Sequence, residues 1–264
     1  MLDRLEAAIS FAESDALDAE LVQRAHALAA RLEAANGELY EAVRAEIQRG
    51  ECPALFSDFL AQFRSELSAG EWPRGNGYDF LDELIAGVFA FEEPAEDHVT
   101  ARPENVFYQP TPARHVFALI ASGAIASEDV FVDLGSGLGH VAMLVSICTG
   151  ACCLGVELEP AFVVAARECA QRLGLKRVTF VEQDAREADF SRGTVFYLYT
   201  PFTGSILLKV MDSLRAEAAR RPIKVCAFGP CAEAVAKEKC LESTAAAEAD
   251  QMAVFVSRVK MTEQ

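Results

Sequence analysis

Short apolar runs alternate with helical stretches from Thr111 to the end of the chain, and this alternation restricts the possible folds more than any other feature of the sequence. Such alternation is typical of a mostly parallel β-sheet covered by helices. The last two apolar runs lie close together, which predicts a final antiparallel pair. The predicted strands are Val130–Leu134, Cys152–Glu157, Val178–Glu182, Val195–Tyr199, Ile223–Phe228, Leu241–Thr244 and Ala253–Ser257. The helices between them are predicted near 140–149, 160–173, 204–218 and 231–239.

The first ninety or so residues have a helical pattern instead. Apolar residues recur at helical spacing in four stretches: Leu17 to Leu32, Leu39 to Ile47, Pro53 to Leu67, and Leu81 to Phe89. The dipeptide Asn36-Gly37 is a typical stop signal and is expected to separate the first two helices. The next stretch contains several prolines and shows no helical periodicity of apolar residues. The sequence therefore predicts an all-α domain over 1–93, a linker over 94–110 and an α/β domain over 111–264.

The strongest local signal is the segment 131–140, in which an apolar strand runs into a glycine-rich turn and then a helix. Glycine lets backbone approach a ligand closely because it has no Cβ, and the helix behind it offers free N–H groups. In open sheets, ligands bind beyond the carboxyl ends of the strands. A dinucleotide-binding turn would place its third glycine at position 140, where this chain has His140. The sequence therefore argues against a nicotinamide-dependent oxidoreductase.

Carboxylates stand at the ends of three of the predicted strands. Asp133 precedes the glycines, Glu157 ends the second strand, and Asp184 follows the third. Glu157 can accept hydrogen bonds from two ribose hydroxyls, and Asp184 can accept one from an exocyclic amine. A solvated strand end would explain either of these two acids alone equally well. The order of the whole set favours a nucleoside site.

This ordered set resembles the class I methyltransferases that bind S-adenosylmethionine, over about residues 105–258. The resemblance implies a Rossmann-like, seven-stranded, doubly wound sheet with an antiparallel last strand. It implies that the glycines lie under the methionine and ribose, that Asp133 supports the cofactor's amino group, and that Leu158 lies on the adenine. The implied cofactor-binding residues are Tyr108, Thr111, Asp133, Gly135, Ser136, Gly137, Gly139, Glu157, Leu158, Asp184, Ala185 and Tyr199.

The segment Phe107-Tyr108-Gln109-Pro110-Thr111-Pro112 extends the resemblance to one group within this family. Together with the glycine turn it is similar to the histone-lysine methyltransferases outside the SET group. Tyr108 would either cover the cofactor or pack against the protein. Thr111 would either contact the cofactor or act as the N-cap of a helix that begins at Pro112.

The fourth predicted strand ends in Tyr199-Thr200-Pro201-Phe202. Amine-directed members of the superfamily often have Asn or Asp, Pro, Pro and an aromatic residue there, and the polar first residue accepts a hydrogen bond from the amine. Tyr199 and Thr200 stand in the first two positions here and are the candidate catalytic pair. Pro201 and Phe202 are the candidate substrate contacts, although packing explains Phe202 equally well. A strong catalytic base is not required, because the cofactor's positive charge already activates the methyl group.

The leading functional hypothesis is methyl transfer to a nucleophilic acceptor, with a protein lysine as the first candidate. A small molecule or natural product is the main alternative, and a non-catalytic cofactor-binding scaffold is another. The helical domain would act as a lid, recognise substrate or form a homodimer. His98 and His115 are candidates for a general base.

Charge and composition limit the partners. The formal net charge is −16, and residues 1–100 hold 21 acids and 7 bases. Such a surface repels nucleic acid and is explained either as a solvated face or as a docking surface for a basic protein. The sequence contains no apolar run long enough to cross a membrane and no metal-ligand spacing. We therefore expect no metal and a cytoplasmic protein with free thiols.

Overall fold

A computed structural model describes residues 19–92, 108–199, 202–244, 248 and 250–258. Its helices are α1 (Ala19–Gln48), α2 (Ala54–Ser68), α3 (Phe80–Phe89), α4 (Ala113–Ala121), α5 (His140–Thr149), α6 (Pro160–Arg172), α7 (Gly204–Ala218) and α8 (Cys231–Ala236). Its strands are β1 (Val130–Leu134), β2 (Cys152–Glu157), β3 (Val178–Glu182), β4 (Val195–Tyr199), β5 (Lys224–Phe228), β6 (Leu241–Ser243) and β7 (Ala253–Ser257). The predicted elements after Thr111 are confirmed, with boundaries shifted by up to three residues.

The seven strands form one sheet in the order β3-β2-β1-β4-β5-β7-β6. The first five strands in this order pair in parallel, whereas β7 runs antiparallel to both β5 and β6. This is the predicted Rossmann-like sheet with one reversed strand. The order reverses direction at β1, between β2 and β4. Ligands of open α/β sheets bind beside the carboxyl ends of the strands at such a switch point.

Two hydrophobic clusters cover the two faces of the sheet. Helices α7 and α8 pack on one face, against residues such as Phe196 and Val225. Helices α4, α5 and α6 pack on the other face, and α1, α2 and α3 contribute to the same cluster through residues such as Phe56 and Val88. The proposed boundary at residue 93 and the linker lie mostly outside the described residues, so the division into domains stays a prediction.

One prediction for the helical part is wrong, because α1 continues through Asn36-Gly37 as a single helix. A glycine inside a helix costs about 1 kcal/mol relative to alanine. Tertiary contacts further along offset this cost. Val43 and Ile47 are 2% exposed in the shared cluster. The Arg44 guanidinium also donates to the carbonyl oxygen of Gly87 at 2.7 Å, near the end of α3.

None of the helices in the described residues is both long enough and apolar enough to cross a bilayer. The eight cysteines are present as free thiols.

Candidate functional site

The glycine-rich turn lies at the carboxyl end of β1 and is fixed to the neighbouring strand. The backbone N–H groups of Gly135 and Ser136 both donate to the carbonyl oxygen of Val156, at 2.8 and 3.1 Å. Gly137 and Gly139 have φ values of +50° and +82°, which residues with a side chain rarely adopt. The turn then enters α5 at once, so the free N–H groups of that helix face the same edge of the sheet.

Two buried oxygens beside this turn have no hydrogen-bond partner among the described residues. They are Asp133 Oδ2 and Ser136 Oγ. Asp133 is only 3% exposed. Burial raises its pKa to about 8, and the Glu157 carboxylate adds to the increase. A ligand that donates hydrogen bonds or carries a positive charge would satisfy both oxygens. The residues present therefore fit the amino-acid part of S-adenosylmethionine.

Glu157 connects the turn to the end of β2. Its Oε2 accepts from the Gly137 N–H at 2.8 Å, and its Oε1 accepts from the N–H groups of Leu158 and Glu159 at 2.7 and 2.9 Å. A carboxylate oxygen has two lone pairs, so Oε2 retains one acceptor position. The predicted binding of ribose hydroxyls would use this position, and it stays a prediction.

Asp184 forms an ion pair that the sequence analysis missed. Both of its carboxylate oxygens accept hydrogen bonds from the Arg186 guanidinium, and the shortest contact is 2.6 Å. Arg186 also donates its backbone N–H to Asp184 at 2.9 Å. The Asp-x-Arg spacing in the sequence could have revealed this pair. The predicted contact with an adenine amine stays a prediction and would compete with Arg186. The adjacent Ala185 is 8% exposed and packs in the α7–α8 cluster.

Tyr108 lies directly over the glycine turn. A β-carbon added to Gly137 would lie 2.0 Å from Tyr108 Cε2, so only glycine permits this contact. The Tyr108 ring packs against Phe162 with centroids 4.8 Å apart. Its hydroxyl lies 3.2 Å from Nδ1 of His140. Burial raises the pKa of Tyr108 and lowers that of His140 to about 4, so both groups are neutral and the hydroxyl can donate to the ring nitrogen.

Gly139 is required for a different reason. A β-carbon added there would lie 2.4 Å from the Phe180 ring on β3. The same ring fills the space beside Gly155 on β2, also at 2.4 Å. Two of the glycines near the site thus make room for one aromatic side chain of the protein itself.

Thr111 does not act as a helix cap, contrary to one of the two predicted roles. Helix α4 begins at Ala113, and Pro112 is in the N-cap position. The hydroxyl of Thr111 is instead 2.7 Å from the hydroxyl of Tyr197, and both side chains are buried. Tyr197 pairs in register with Asp133 across the β1–β4 ladder, so the two side chains are neighbours on one face of the sheet. Tyr197 lies inside an apolar strand, so the local sequence pattern does not distinguish it from a core residue.

Two of the four predicted catalytic and substrate residues fall within the described part of the chain. Tyr199 is its last residue and pairs with Phe228 of β5, and the two rings are 4.9 Å apart. Burial raises the pKa of Tyr199, so its hydroxyl stays protonated. Phe202 is 6% exposed and belongs to the cluster on the opposite face of the sheet. Thr200 and Pro201 lie outside the described residues.

His115 adds a neutral ring to this end of the sheet. Its ring lies 4.2 Å from that of Phe228, and its Nε2 is 2.7 Å from the Gly75 carbonyl oxygen. A carbonyl accepts, so the proton is on Nε2 and Nδ1 carries a lone pair. Nδ1 has no partner among the described groups. Burial lowers the pKa of His115 to about 4, which keeps the ring neutral near pH 7. His98 lies outside the described residues.

The described chain shows no candidate metal centre. No group of three or more His, Cys, Asp or Glu side chains in the described ranges is arranged to hold a metal ion.

Comparisons with known proteins give one family match and several distant structural likenesses. Residues 131–221 of the 264 match the family model of a methyltransferase domain. No match was found among curated proteins. The chain is similar to a crystal structure of an RNA methyltransferase from Salinibacter ruber in complex with S-adenosyl-L-homocysteine, at 24% identity and a TM-score of 0.46, covering 59% of this chain and 97% of that one.

Two further solved structures share the likeness. One is a ribosomal protein L11 methylase from Lactobacillus delbrueckii subsp. bulgaricus, at 16% identity and a TM-score of 0.46, covering 60% of this chain and 83% of that one. The other is a precorrin-6y C5,15-methyltransferase from Geobacter metallireducens GS-15, at 14% identity and a TM-score of 0.42, covering 62% and 96%. Their named substrates differ, and likenesses this distant carry no argument about the acceptor. The family match therefore likens residues 131–221 of this chain to a methyltransferase domain.

Proposed function

We propose that the protein transfers a methyl group from S-adenosylmethionine to the side-chain amine of a lysine in a protein acceptor. The observation that carries this proposal is the Tyr199 ring at the carboxyl end of β4, which is partly exposed and packs on the buried Phe228 ring of β5. Tyr199 stands on the same face of the sheet as Asp133, which is the face that the glycine turn borders.

The Tyr199 ring suits a lysine side chain in both of its protonation states. An aromatic face attracts an ammonium group within about 6 Å of the ring centroid, with roughly 0.5–2 kcal/mol. The amine must lose its proton before it can attack a methyl group, and a poorly solvated environment lowers the pKa of lysine. Tyr199 itself reports such an environment, since burial raises its pKa. Its neutral hydroxyl can hold the amine through one hydrogen bond.

The other residues of the site orient the cofactor and exclude water. When bound, S-adenosylmethionine supplies a methyl group that is already activated toward nucleophiles. Asp133 and Ser136 provide two oxygens that can fix the amino-acid part of the cofactor. Tyr108 covers the turn and limits the access of water to it. Alignment of this kind supplies a large part of the rate enhancement in a displacement reaction.

The charge of the chain supports a basic protein as the acceptor. The net charge of −16 attracts a lysine-rich protein and repels a phosphate backbone. A small molecule would gain little from this charge. The structural neighbour from Salinibacter ruber is an RNA methyltransferase, but the acidity of this chain favours a different acceptor.

A radiolabelled methyl-transfer assay tests the proposal. The purified chain is incubated with methyl-labelled S-adenosylmethionine and, separately, with a lysine-rich protein, the same protein with acetylated lysines, an RNA and a mixture of small amines. We expect label only in the unmodified protein, and methyl-lysine after its hydrolysis. Glu157→Ala should lose transfer together with cofactor binding. Tyr199→Ala should lower kcat/KM by about tenfold, the loss of one cation–π contact and one hydrogen bond.

Two outcomes of this assay would contradict the proposal. Label that appears in RNA or in small amines, but not in the lysine-rich protein, would replace the lysine proposal with that other acceptor. An absence of label in every acceptor, with cofactor binding intact, would favour a non-catalytic scaffold.

A further inference from the structure

A groove of about 290 Å³ lies on the helical part of the protein, between α2 and the segment that leads into α3. It is separate from the glycine turn. Its walls combine aromatic rings with carboxylates, namely those of Phe59, Glu66, Glu71, Trp72, Asp79 and Phe80. A concave surface of this composition is unusual for a plain solvated face, which presents polar residues without an aromatic lining.

The aromatic wall includes a ring that faces solvent. Phe80 is 64% exposed although it is a large apolar side chain. It packs edge-on against Phe59, with centroids 6.1 Å apart. Trp72 is half-buried and packs against the hydrophobic cluster below. The groove therefore offers aromatic faces that are fixed in position but still accessible.

The charge of the groove is negative. Glu66, Glu71 and Asp79 oppose a single cation, Arg114. That guanidinium is already engaged, since it lies 3.3 Å from the Asp79 carboxylate and donates to the carbonyl oxygen of Gly75 at 2.8 Å. No lysine occurs among residues 1–100, so few cations of the chain itself compete for the carboxylates.

We propose that this groove binds a lysine- or arginine-bearing segment of the acceptor, outside the site of methyl transfer. Charge complementarity favours a cation over an anion or a neutral peptide. The exposed rings favour a cationic side chain over a simple metal ion, because an aromatic face and a carboxylate together suit an extended, partly apolar cation. The assignment of this segment to the acceptor rests on the proposed lysine methylation, whereas the binding of the cation does not.

The groove is connected to the predicted acceptor site through one loop. Trp72 lines the groove, and three residues later the carbonyl oxygen of Gly75 bonds to His115 Nε2. The His115 ring lies against the buried Phe228 ring, on which Tyr199 of the predicted acceptor site packs. At the end of the same loop, the Tyr78 hydroxyl donates to the Pro110 carbonyl at 3.0 Å. A segment held in the groove would thus lie beside the same loop that supports the acceptor site.

Trp72 provides the measurement, since it is the only tryptophan in the chain. Its fluorescence is followed during titration with a short lysine- and arginine-rich peptide, and with the same peptide after acetylation of the lysines and replacement of the arginines by glutamine. We expect a saturable change with the first peptide and none with the second. The affinity should fall as salt rises, because exposed charges are screened.

Substitutions then locate the binding. Glu66→Gln with Glu71→Gln should weaken the peptide by about fivefold at low salt, and Phe80→Ala by about threefold. Glu33→Gln with Glu38→Gln removes the same charge from exposed positions of α1 and is the matched control, with a change below about twofold. Equal weakening by the two double variants would show only long-range attraction and would overturn the proposal, as would an absence of any response with the cationic peptide.

The outcomes separate the groove from the catalytic proposal. Methylation of a lysine peptide without any Trp72 response would refute the groove and leave the methylation intact. A Trp72 response that Glu66→Gln with Glu71→Gln weakens, combined with no methylation of any lysine, would refute the methylation and leave the cation-binding groove.

Discussion

The buried carboxyl of Asp133 makes folding and cofactor binding oppose each other. Its pKa is raised from 3.8 to about 8, first by burial and then by the Glu157 charge. Each pH unit corresponds to about 1.4 kcal/mol, so a shift of about four units corresponds to on the order of 5 kcal/mol. This is the free energy that the folded chain loses when the carboxyl is ionised without a partner.

The pH range follows from the direction of the shift. Between about pH 4 and pH 8 the folded protein holds a proton on Asp133 that the unfolded chain has released. The free energy of unfolding therefore decreases as pH rises through this range, and the full cost is present above about pH 8. Below pH 4 both states are protonated and this residue contributes no cost.

Asp133→Asn removes the free-energy cost of the buried ionised carboxyl while preserving the shape of the side chain. The asparagine oxygen can still accept the hydrogen bond that Asp133 receives from the Ala142 backbone N–H. In urea denaturation without cofactor, the variant should be more stable than the wild type by several kcal/mol at pH 9 and about equal to it at pH 4. The same variant should bind S-adenosylmethionine more weakly, because the amide cannot neutralise a positive charge.

Asp129→Asn is the matched control and should behave in the opposite way. Burial would raise the pKa of Asp129, but hydrogen bonds from Ala126 N and Thr194 Oγ1 and the Lys224 ammonium outweigh it, and the pKa is lowered. Its stabilisation is present above about pH 4 and is lost as pH falls further. The control variant should thus be less stable than the wild type near pH 7. A wild-type curve parallel to that of Asp133→Asn between pH 4 and pH 9 would refute the reasoning for Asp133.

Two further predictions concern buried hydroxyls and a reactive thiol. Thr111→Val and Tyr197→Phe should each lower the free energy of unfolding by about 1–3 kcal/mol, because each leaves one buried hydroxyl without its partner. The double variant should lose less than the sum of the two single losses. Additive losses in a double-mutant denaturation cycle would contradict the 2.7 Å hydrogen bond. A hydrogen bond from Cys148 lowers the pKa of Cys52 to about 7, so its alkylation by iodoacetamide should reach half its maximal rate near pH 7. Cys148→Ala, which removes the donor, should move that midpoint upward by mass-spectrometric rate measurement. An unchanged midpoint in Cys148→Ala would rule out this cause.

The sheet was predictable from sequence because each strand is short, apolar and bounded by turn residues. Local signals were sufficient there. They failed at Asn36-Gly37, where the stop signal lost to contacts of Val43, Ile47 and Arg44 with residues distant in sequence. Tertiary burial of this kind is not encoded near the glycine, so a local pattern could not predict it.

The site, too, has features that the local sequence predicts and features that it does not. The positions of Asp133, the glycines and Glu157 at one edge followed from their order after consecutive strands. The bond between Thr111 and Tyr197 did not, because it joins residues 86 positions apart. Likewise, nothing local indicated that Tyr108 would lie on Gly137, since that contact depends on how the chain returns to the turn.

The Phe180 ring has a consequence for the variation of this sequence among its relatives. It occupies the space that β-carbons at Gly139 and Gly155 would need. These two glycines are therefore imposed by a side chain of the protein and not only by a ligand. A β-carbon at Gly155 would also lie 2.7 Å from Ser136 Oγ. We therefore expect relatives with valine or alanine at the position of Phe180, and with glycine or alanine at the position of Ser136, to tolerate alanine at the position of Gly155. The left-handed φ of +82° should still favour glycine at position 139. An alignment of homologues that keeps glycine at 155 whatever residues stand at 136 and 180 would point to a constraint from the ligand instead.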